Sequence, residues 1–377
     1  MRRTTARLGI VLLGLALVSG GAGLALFFWA SSGMPSHENP ELIRRHTVTE
    51  PVPESADGVT IVTHNIGYLS GTTNNRPVNR PPLVFFQANT AALIQALKRI
   101  RADIIAFQEI DFHSRRSHYQ NQVDLIARKG GYTCSSSVVN WSKRYVPYPY
   151  WPPSAHFGPM LSGQAVISRY PILRATRQVL PGPVSKPFHY RAFYLDRLVH
   201  RVDVSVGDRV ICLLNVHLEA FDVPTREIQA RQVVRLVRSL KPRFPLILLG
   251  DMNSVPPEAG RRSGFDDEPD MDFRGDRTMD ILWRQSGLRE VFDRPESRAD
   301  ESSTFTFPSR TPNRRLDYIF YDPDKIERLA AGILPGGWSD HFAVWMRCRV
   351  RKTPGGGFVP GRAEKGSAPS PERTPEN

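Results

Sequence analysis

The sequence predicts an α/β (α+β) fold, a four-layer sandwich of two packed mixed β-sheets flanked by helices. Three observations lead there. Six short segments of strand length recur between Val59 and Trp345, each with polar residues at an end or on one face. Two stretches beside them carry apolar residues at helical spacing. About 290 residues lie between an apolar N-terminal run and a polar C-terminal tail, near the upper size of a single domain.

The chain opens with Arg2, Arg3 and Arg7, followed by an uncharged, mostly apolar run from Leu8 to Ala30. As a helix rising about 1.5 Å per residue the run reaches roughly 34 Å, enough to cross a bilayer. Residues 8–30 are therefore expected to be a signal anchor. Residues 1–7 would stay cytoplasmic by the positive-inside rule and the rest would lie outside. A cleaved signal peptide is the alternative, because Ala30-Ser31-Ser32 offers small residues for cleavage and a secreted product would follow. Residues 31–57 are polar and proline-bearing and read as a linker. The domain is expected over 58–351, and 352–377, rich in Gly, Pro, Ser and charge, reads as a disordered tail.

The six segments come next. Val59–Asn65 ends in Asn65, Asp103–Glu109 in Glu109 and Arg209–His217 in His217. Leu246–Leu249 reads as a buried strand, stopped at Gly250 and followed by Asp251 and Asn253. Asp251 and Asn253 are two residues apart, so both side chains can point one way. Arg315–Tyr321 alternates, with Asp317 opposite Leu316 and Tyr318, and Ser339–Trp345 begins with Asp340 and His341. A turn accounts for Asp251 and Asn253 taken alone. As a set, acidic and amide residues on buried strands need partners, and a shared metal and phosphate site would supply them.

Helices are expected at Asn89–Arg101, capped by Asn89 or Thr90, with Leu93, Ile94, Leu97 and Ile100 on one face. A second is expected at Thr225–Leu240, with Ile228, Val233, Val234, Val237 and Leu240 similarly placed on one face.

Six motifs, THNIG (63–67), FQEID (107–111), NVHL (215–218), GDMNS (250–254), RRLDYIF (314–320) and SDHFAV (339–344), occur in one order over most of the chain. In these the sequence resembles the endonuclease/exonuclease/phosphatase superfamily, which includes pancreatic-type deoxyribonuclease, exonuclease III-type enzymes, neutral sphingomyelinases and inositol-polyphosphate phosphatases. Ser162–Ile172 is similar to the family strand before the central turn. The resemblance implies that Glu109 is the main Mg²⁺ ligand with Asn65 beside it, and that Asp340 is a second metal contact. It implies that Asp251 and Asn253 orient the attacking water and hold the phosphate. His217 would act on the leaving group or the phosphate, and His341 on the phosphate, with Asp317 fixing its tautomer. The mid-chain tyrosine and arginine of apurinic-site endonucleases have no counterpart here.

The chemistry of the residues agrees. A phosphodiester repels nucleophiles, so hydrolysis needs charge neutralisation, a positioned water and help for the leaving oxygen. Glu109, Asp340 and the Asn65 amide suit a hard cation, Mg²⁺ or else Mn²⁺ or Ca²⁺. A His–Asp pair supplies a group that titrates near neutrality. No cysteine has zinc-type spacing, and three cysteines are too few for a disulfide scaffold. Cys212 and Cys348 read as buried thiols, with one disulfide left open.

The net charge of +13 suits an anionic substrate or membrane surface. Arg115 and Arg116 either grip a substrate phosphate or sit solvated. The segment Asn140–Ser154 sets Trp141, Tyr145, Tyr148, Tyr150 and Trp151 among prolines. It reads as a stacking platform, an interfacial belt or a stiff cover, with Tyr148 and Trp151 as candidate substrate contacts. Asp266–Asp272 reads as a solvated acidic loop or a Ca²⁺ site. The expected protein is thus a membrane-anchored, Mg²⁺-dependent phosphoesterase, taken as a monomer, acting on a lipid headgroup or nucleic acid. Alternatives are an inositol-phosphate-type monoesterase and a tethered non-catalytic binding module.

Overall fold

A computed structural model describes residues 2–47, 58–74, 80–293 and 300–351. Its first sheet has seven strands: β1 (Ile43–Arg45), β2 (Val59–Asn65), β3 (Ile104–Asp111), β4 (Cys134–Val146), β5 (Gly158–Ser168), β12 (Ile326–Leu334) and β13 (Ala343–Val350). Their order is β1-β4-β5-β3-β2-β13-β12. The second sheet has six: β6 (Ile172–Val179), β7 (Leu198–Val206), β8 (Arg209–His217), β9 (Leu246–Asp251), β10 (Arg289–Glu290) and β11 (Asp317–Tyr321), in the order β10-β11-β9-β8-β7-β6.

Each sheet holds one parallel pair, β2 with β3 and β8 with β9, and its other pairs are antiparallel. A parallel pair needs a crossover, and a helix supplies it in both. These are α2 (Leu83–Arg99) and α5 (Val223–Leu240). The inner faces of the sheets share one core, including Ile61, Ile104, Val204, Leu213, Leu249 and Ile319. A second core packs the first sheet on α2 and α3 (Gln122–Gly130). A third packs the second sheet on α5 and α6 (Thr278–Gln285). The four expected layers are present.

Several boundaries move. α2 begins after Pro82, six residues before Asn89. Thr90 spends its hydroxyl on the Phe86 carbonyl one turn back, and Asn89 Nδ2 donates to Leu69 O, so neither residue caps the helix. A proline start lacks the Ser/Asp signal that marks most helix entries. α5 is capped by Asp222, which accepts from Thr225 N, and Ile228 is exposed, unlike the rest of its expected face. β3 runs past Glu109 to Asp111, through a register shift between Phe107 and Ile110. β13 starts at Ala343, which leaves Asp340 and His341 in the loop before it. β11 starts at Asp317, two residues after Arg315.

The stretch expected to be a linker is partly structured. β1 pairs with Cys134–Ser136 at the edge of the first sheet, and Arg44 forms an ion pair with Asp124. Three residues are too few to carry a readable alternation. Residues 48–57 and the tail at 352–377 lie outside the described residues. α1 (Arg2–Ser31) is a single helix long and apolar enough to cross a membrane, with its apolar side chains from Ile10 to Trp29 largely exposed. Cys134, Cys212 and Cys348 are all buried free thiols. Asp266–Asp272 is largely exposed, as expected of a solvated acidic loop, while Asp267 and Glu268 also grip the buried Arg314, which lies over the Phe265 and Phe307 rings.

The two sheets also meet through a polar contact. His200 Nε2 on β7 lies 2.8 Å from Ser136 Oγ on β4. Burial lowers the His200 pKa to about 3. The unfolded chain therefore binds this proton more tightly, so the stability it confers is complete above about 6.5 and is lost as pH falls toward 3. Wild type is expected to lose up to about 1.4 kcal/mol per pH unit more than His200→Gln in this window. Denaturant midpoints between pH 4 and 7 check this, and equal slopes would refute it.

Candidate active site

The parallel pairs explain why the polar strand ends converge. β2 and β3 carry Asn65 and Glu109 at their C-terminal ends, and β8 and β9 carry His217 and Asp251 at theirs. In register, His217 lies opposite Asp251, and Asp251 lies opposite Asp317 across the antiparallel β9–β11 pair. Open sheets present ligand sites at the carboxyl ends of parallel strands, and here two sheets aim theirs at one place.

Two clusters result, joined by one amide. Asn65 Nδ2 donates to Glu109 Oε1 at 3.2 Å and to Asp251 Oδ2 at 3.0 Å. On one side, Asn74 Nδ2 reaches both Glu109 Oε2 at 3.4 Å and Asp340 Oδ2 at 3.1 Å. On the other, Asp317 Oδ2 lies 2.8 Å from His341 Nδ1. Asp251 Oδ2 lies 3.5 Å from His217 Nε2 and 3.9 Å from His341 Nε2. Asn253 follows, its N–H donating to Asp251 Oδ1 at 2.8 Å and its Nδ2 to Leu218 O at 2.9 Å. Glu109 and Asn253 both adopt left-handed backbone, with φ of +51° and +49°. Non-glycine residues in that region cluster at functional sites.

The electrostatics separate the two histidines. His217 is buried, and burial first, then the Arg197 and His341 cations, hold its pKa far below the usual value, so it stays neutral. Burial also opposes charge on His341, but Asp317, then Asp251 and Asp340, outweigh it and raise its pKa to about 10. Burial and then the Asp317 charge raise Asp251 to about 7. Burial raises Asp340 to about 6, with Glu109 adding to the shift and His341 opposing it.

Two donor sets could hold a metal. Asp251, Asp317 and His341 offer ligand atoms within 4.8 Å of one another. In that trio, however, His341 Nδ1 already lies 2.8 Å from Asp317 Oδ2, and Asp251 Oδ2 accepts from the Asn65 amide. Glu109, Asp340, Asn65 and Asn74 fit a hard cation better. Two carboxylates there converge on one amide, and Asn74 Oδ1 is buried without a hydrogen-bond partner among the described residues.

The clusters line a cavity of about 690 Å³. Asn65, Glu109, His217, Asp251, Asn253, Asp340 and His341 all face it, while Asp317 supports His341 from behind. Arg116 faces it too but is not free for a phosphate. It is buried, chelates Asp111 through Nε and Nη2, and lies 3.9 Å over the Tyr68 ring. Arg115 does not line the cavity, and its Nη1 donates to His156 O. Tyr148 lines it and Trp151 does not. Much of the expected aromatic loop is strand, since β4 runs to Val146 and pairs with β5.

Sequence reasoning missed Asn74, Arg197 and the wall around α4 (Phe188–Phe193). Arg197 is buried at the cavity, donates from Nη2 to Tyr194 OH at 3.0 Å and pairs with Glu219 at 3.6 Å. Its Nη1 is buried and has no hydrogen-bond partner among the described residues. Only Glu219, two residues after His217, carried any signal. The others stand in segments with no readable pattern.

Comparison with known proteins bears on the whole domain. The model described as Endonuclease/Exonuclease/phosphatase family matches residues 62–341. Among solved structures, the chain is similar to an endonuclease/exonuclease/phosphatase from Beutenbergia cavernae. They share 17% identity at a TM-score of 0.53, covering 78% of this chain and 72% of that one. The human Nocturnin catalytic domain with bound sulfate anion gives 15% identity and a TM-score of 0.53, covering 85% and 100%. A Bacteroides vulgatus endonuclease/exonuclease/phosphatase gives 13% and 0.51, covering 78% and 99%. At these identities the likeness is one of fold. No curated protein matches the chain.

Proposed function

Because the chain belongs to the endonuclease/exonuclease/phosphatase family, we propose that it is a membrane-anchored, divalent-metal-dependent phosphodiesterase. The observation that carries this reading is the Asn65 amide, which ties the Glu109 carboxylate to the Asp251 carboxylate at one cavity. Glu109, Asp340, Asn65 and Asn74 would hold the cation, Mg²⁺ being the expected one. When bound, it supplies charge neutralisation at the phosphate.

The remaining steps belong to the chain itself. Asp251 accepts the proton of the attacking water, whose oxygen bonds to phosphorus as the leaving P–O bond breaks and the departing alkoxide takes a proton from solvent water. Asn253, pinned through Leu218 O and Asp251, orients that water. The His341 cation, held by Asp317, pairs with a phosphate oxygen, and neutral His217 contacts the phosphate from the Asp251 side. Arg197, held by Glu219, places a second positive charge at the cavity wall. A diester is favoured over a monoester because the cavity continues past the polar cluster along Tyr148, Tyr190 and Phe193, leaving room for a second ester group. With Arg2, Arg3 and Arg7 cytoplasmic, the domain lies on the extracytoplasmic side.

The full chain, purified in detergent with Mg²⁺, is expected to hydrolyse a chromogenic diester, faster than the corresponding monoester, and to lose that activity in EDTA. DNA and sphingomyelin complete the panel. Absence of EDTA-sensitive hydrolysis on every substrate would leave a binding module in place of an enzyme.

A further inference from the structure

We propose that the rim of the cavity is a membrane-contact surface, seated on the same bilayer that α1 crosses. The site then takes a phosphoester whose apolar part stays in that bilayer. The second half of this rests on the phosphodiesterase reading above.

The first support is the way α1 joins the domain. Its last turn is fastened to β4, because Lys143 Nζ donates to Ser31 O at 3.0 Å and Arg144 N to Ser32 O at 2.8 Å. Met34 N donates to Ser142 Oγ at 2.9 Å. The Phe27 ring lies 5.8 Å from Phe188 and 5.4 Å from Phe193 of α4. Phe193 also lines the cavity. The helix thus leaves from the cavity wall itself, and the apolar surface of the span is continuous with the rim.

The second support is what the rim exposes. Tyr150 and Trp151 are 74% and 76% exposed, and Phe188 and Phe221 are 60% and 56% exposed. Single exposed aromatics need no explanation, but these flank one opening. Tyr150 and Phe221 line it, Trp151 follows Tyr150, and Phe188 precedes the lining residue His189. Ser185 Oγ donates to Asp222 Oδ1 at 2.7 Å, which holds the approach to α4 against the Phe221 loop. Lys186 and His189 are at the mouth, and Arg144 is exposed beside the end of α1. Aromatic rings with interspersed bases are the composition of a membrane interface carrying anionic headgroups.

The third support concerns the alternative occupant. Nucleic acid calls for an open basic track along its backbone. The arginines that line this cavity, Arg116 and Arg197, are instead buried and paired with Asp111 and Glu219. Between rim and polar cluster the wall is Tyr148, Tyr190, Phe193 and Leu195, which suits the first carbons of a lipid behind its phosphate.

The test uses the full chain in phosphatidylcholine–phosphatidylglycerol vesicles, with acyl chains brominated near the headgroup or unlabelled. The fluorescence difference between wild type and Trp151→Phe isolates Trp151 from Trp29. Quenching of that difference by brominated lipid is expected, and an unquenched difference overturns the proposal. A second arm uses the variant Trp151→Ser, at a residue that does not line the cavity. Its turnover of vesicle-embedded sphingomyelin or phosphatidylglycerol is expected to fall about tenfold, equivalent to about 1.4 kcal/mol, with soluble diester hydrolysis within about twofold of wild type. Equal loss on both substrates, loss on neither, or a preference for oligonucleotide indifferent to vesicles would each overturn it. No hydrolysis of any substrate sinks the phosphodiesterase reading alone, and quenching still decides the membrane face.

Discussion

Replacing Asp251 by Asn is expected to cut turnover of a soluble diester at least about a thousandfold, while the variant gains stability relative to wild type as pH rises. Asp251 touches each candidate group around it: Asn65 at 3.0 Å, His217 at 3.5 Å, His341 at 3.9 Å and the Asn253 amide at 2.8 Å. An amide keeps the shape but cannot accept a proton from water. The stability effect follows from linkage. Burial, then Asp317, lifts the folded-state pKa of Asp251 to about 7 from 3.8. The folded protein therefore holds this proton more tightly than the unfolded chain. That stabilisation is full below about 3.8 and is lost as pH rises through about 7. The Asp251→Asn variant carries no such dependence, because its amide does not titrate. Denaturant midpoints at pH 5 and pH 8, with kcat at both, check the pair of effects. Near-normal kcat, or a variant that loses ground between pH 5 and 8, would show the carboxylate misassigned.

Gly250→Ala is expected to destabilise the domain by about 3 kcal/mol or more and to abolish activity in whatever remains folded. Gly250 has φ of +140°, and a Cβ there would meet Val216 O at 1.9 Å. Val216 is its register partner on the parallel β8–β9 ladder. A methyl group would push apart the two strands that carry His217 and Asp251. Gly264, with φ of +67° and nothing within 4 Å, separates strain from clash. Gly264→Ala should cost only about 1 kcal/mol. Thermal or urea midpoints that place the two variants together would sink the steric argument.

Much of the domain was legible because its strands are short, apolar and stopped by polar residues. Val59–Asn65 and Arg209–His217 match their strands end to end. Where the pattern was weak, the reading drifted. α2 starts at a proline, β1 has three residues, and the Glu109 bulge lies inside a run that reads as continuous. The site was legible at the six motifs and silent elsewhere. Asn74 and Arg197 are an ordinary asparagine and arginine in sequence, and their partners are 35 and 22 residues away. Arg116 went the other way. In sequence it is an arginine shortly after Glu109, and only packing shows it committed to Asp111 and Tyr68.

What the sequence determined by itself is the layered fold, the family and the list of polar strand ends, because periodicity and motif order are local properties of the chain. What tertiary structure alone decided is how those ends meet. Two parallel pairs, each closed by a crossover helix, aim their C-terminal ends at a single amide, and the low-dielectric interior then sets one histidine neutral and the other charged. The direction of α1 was decided the same way. A hydrophobic run states that a helix can span a bilayer, but only its contacts with Phe188, Phe193 and β4 fix which face of the domain the helix leaves from.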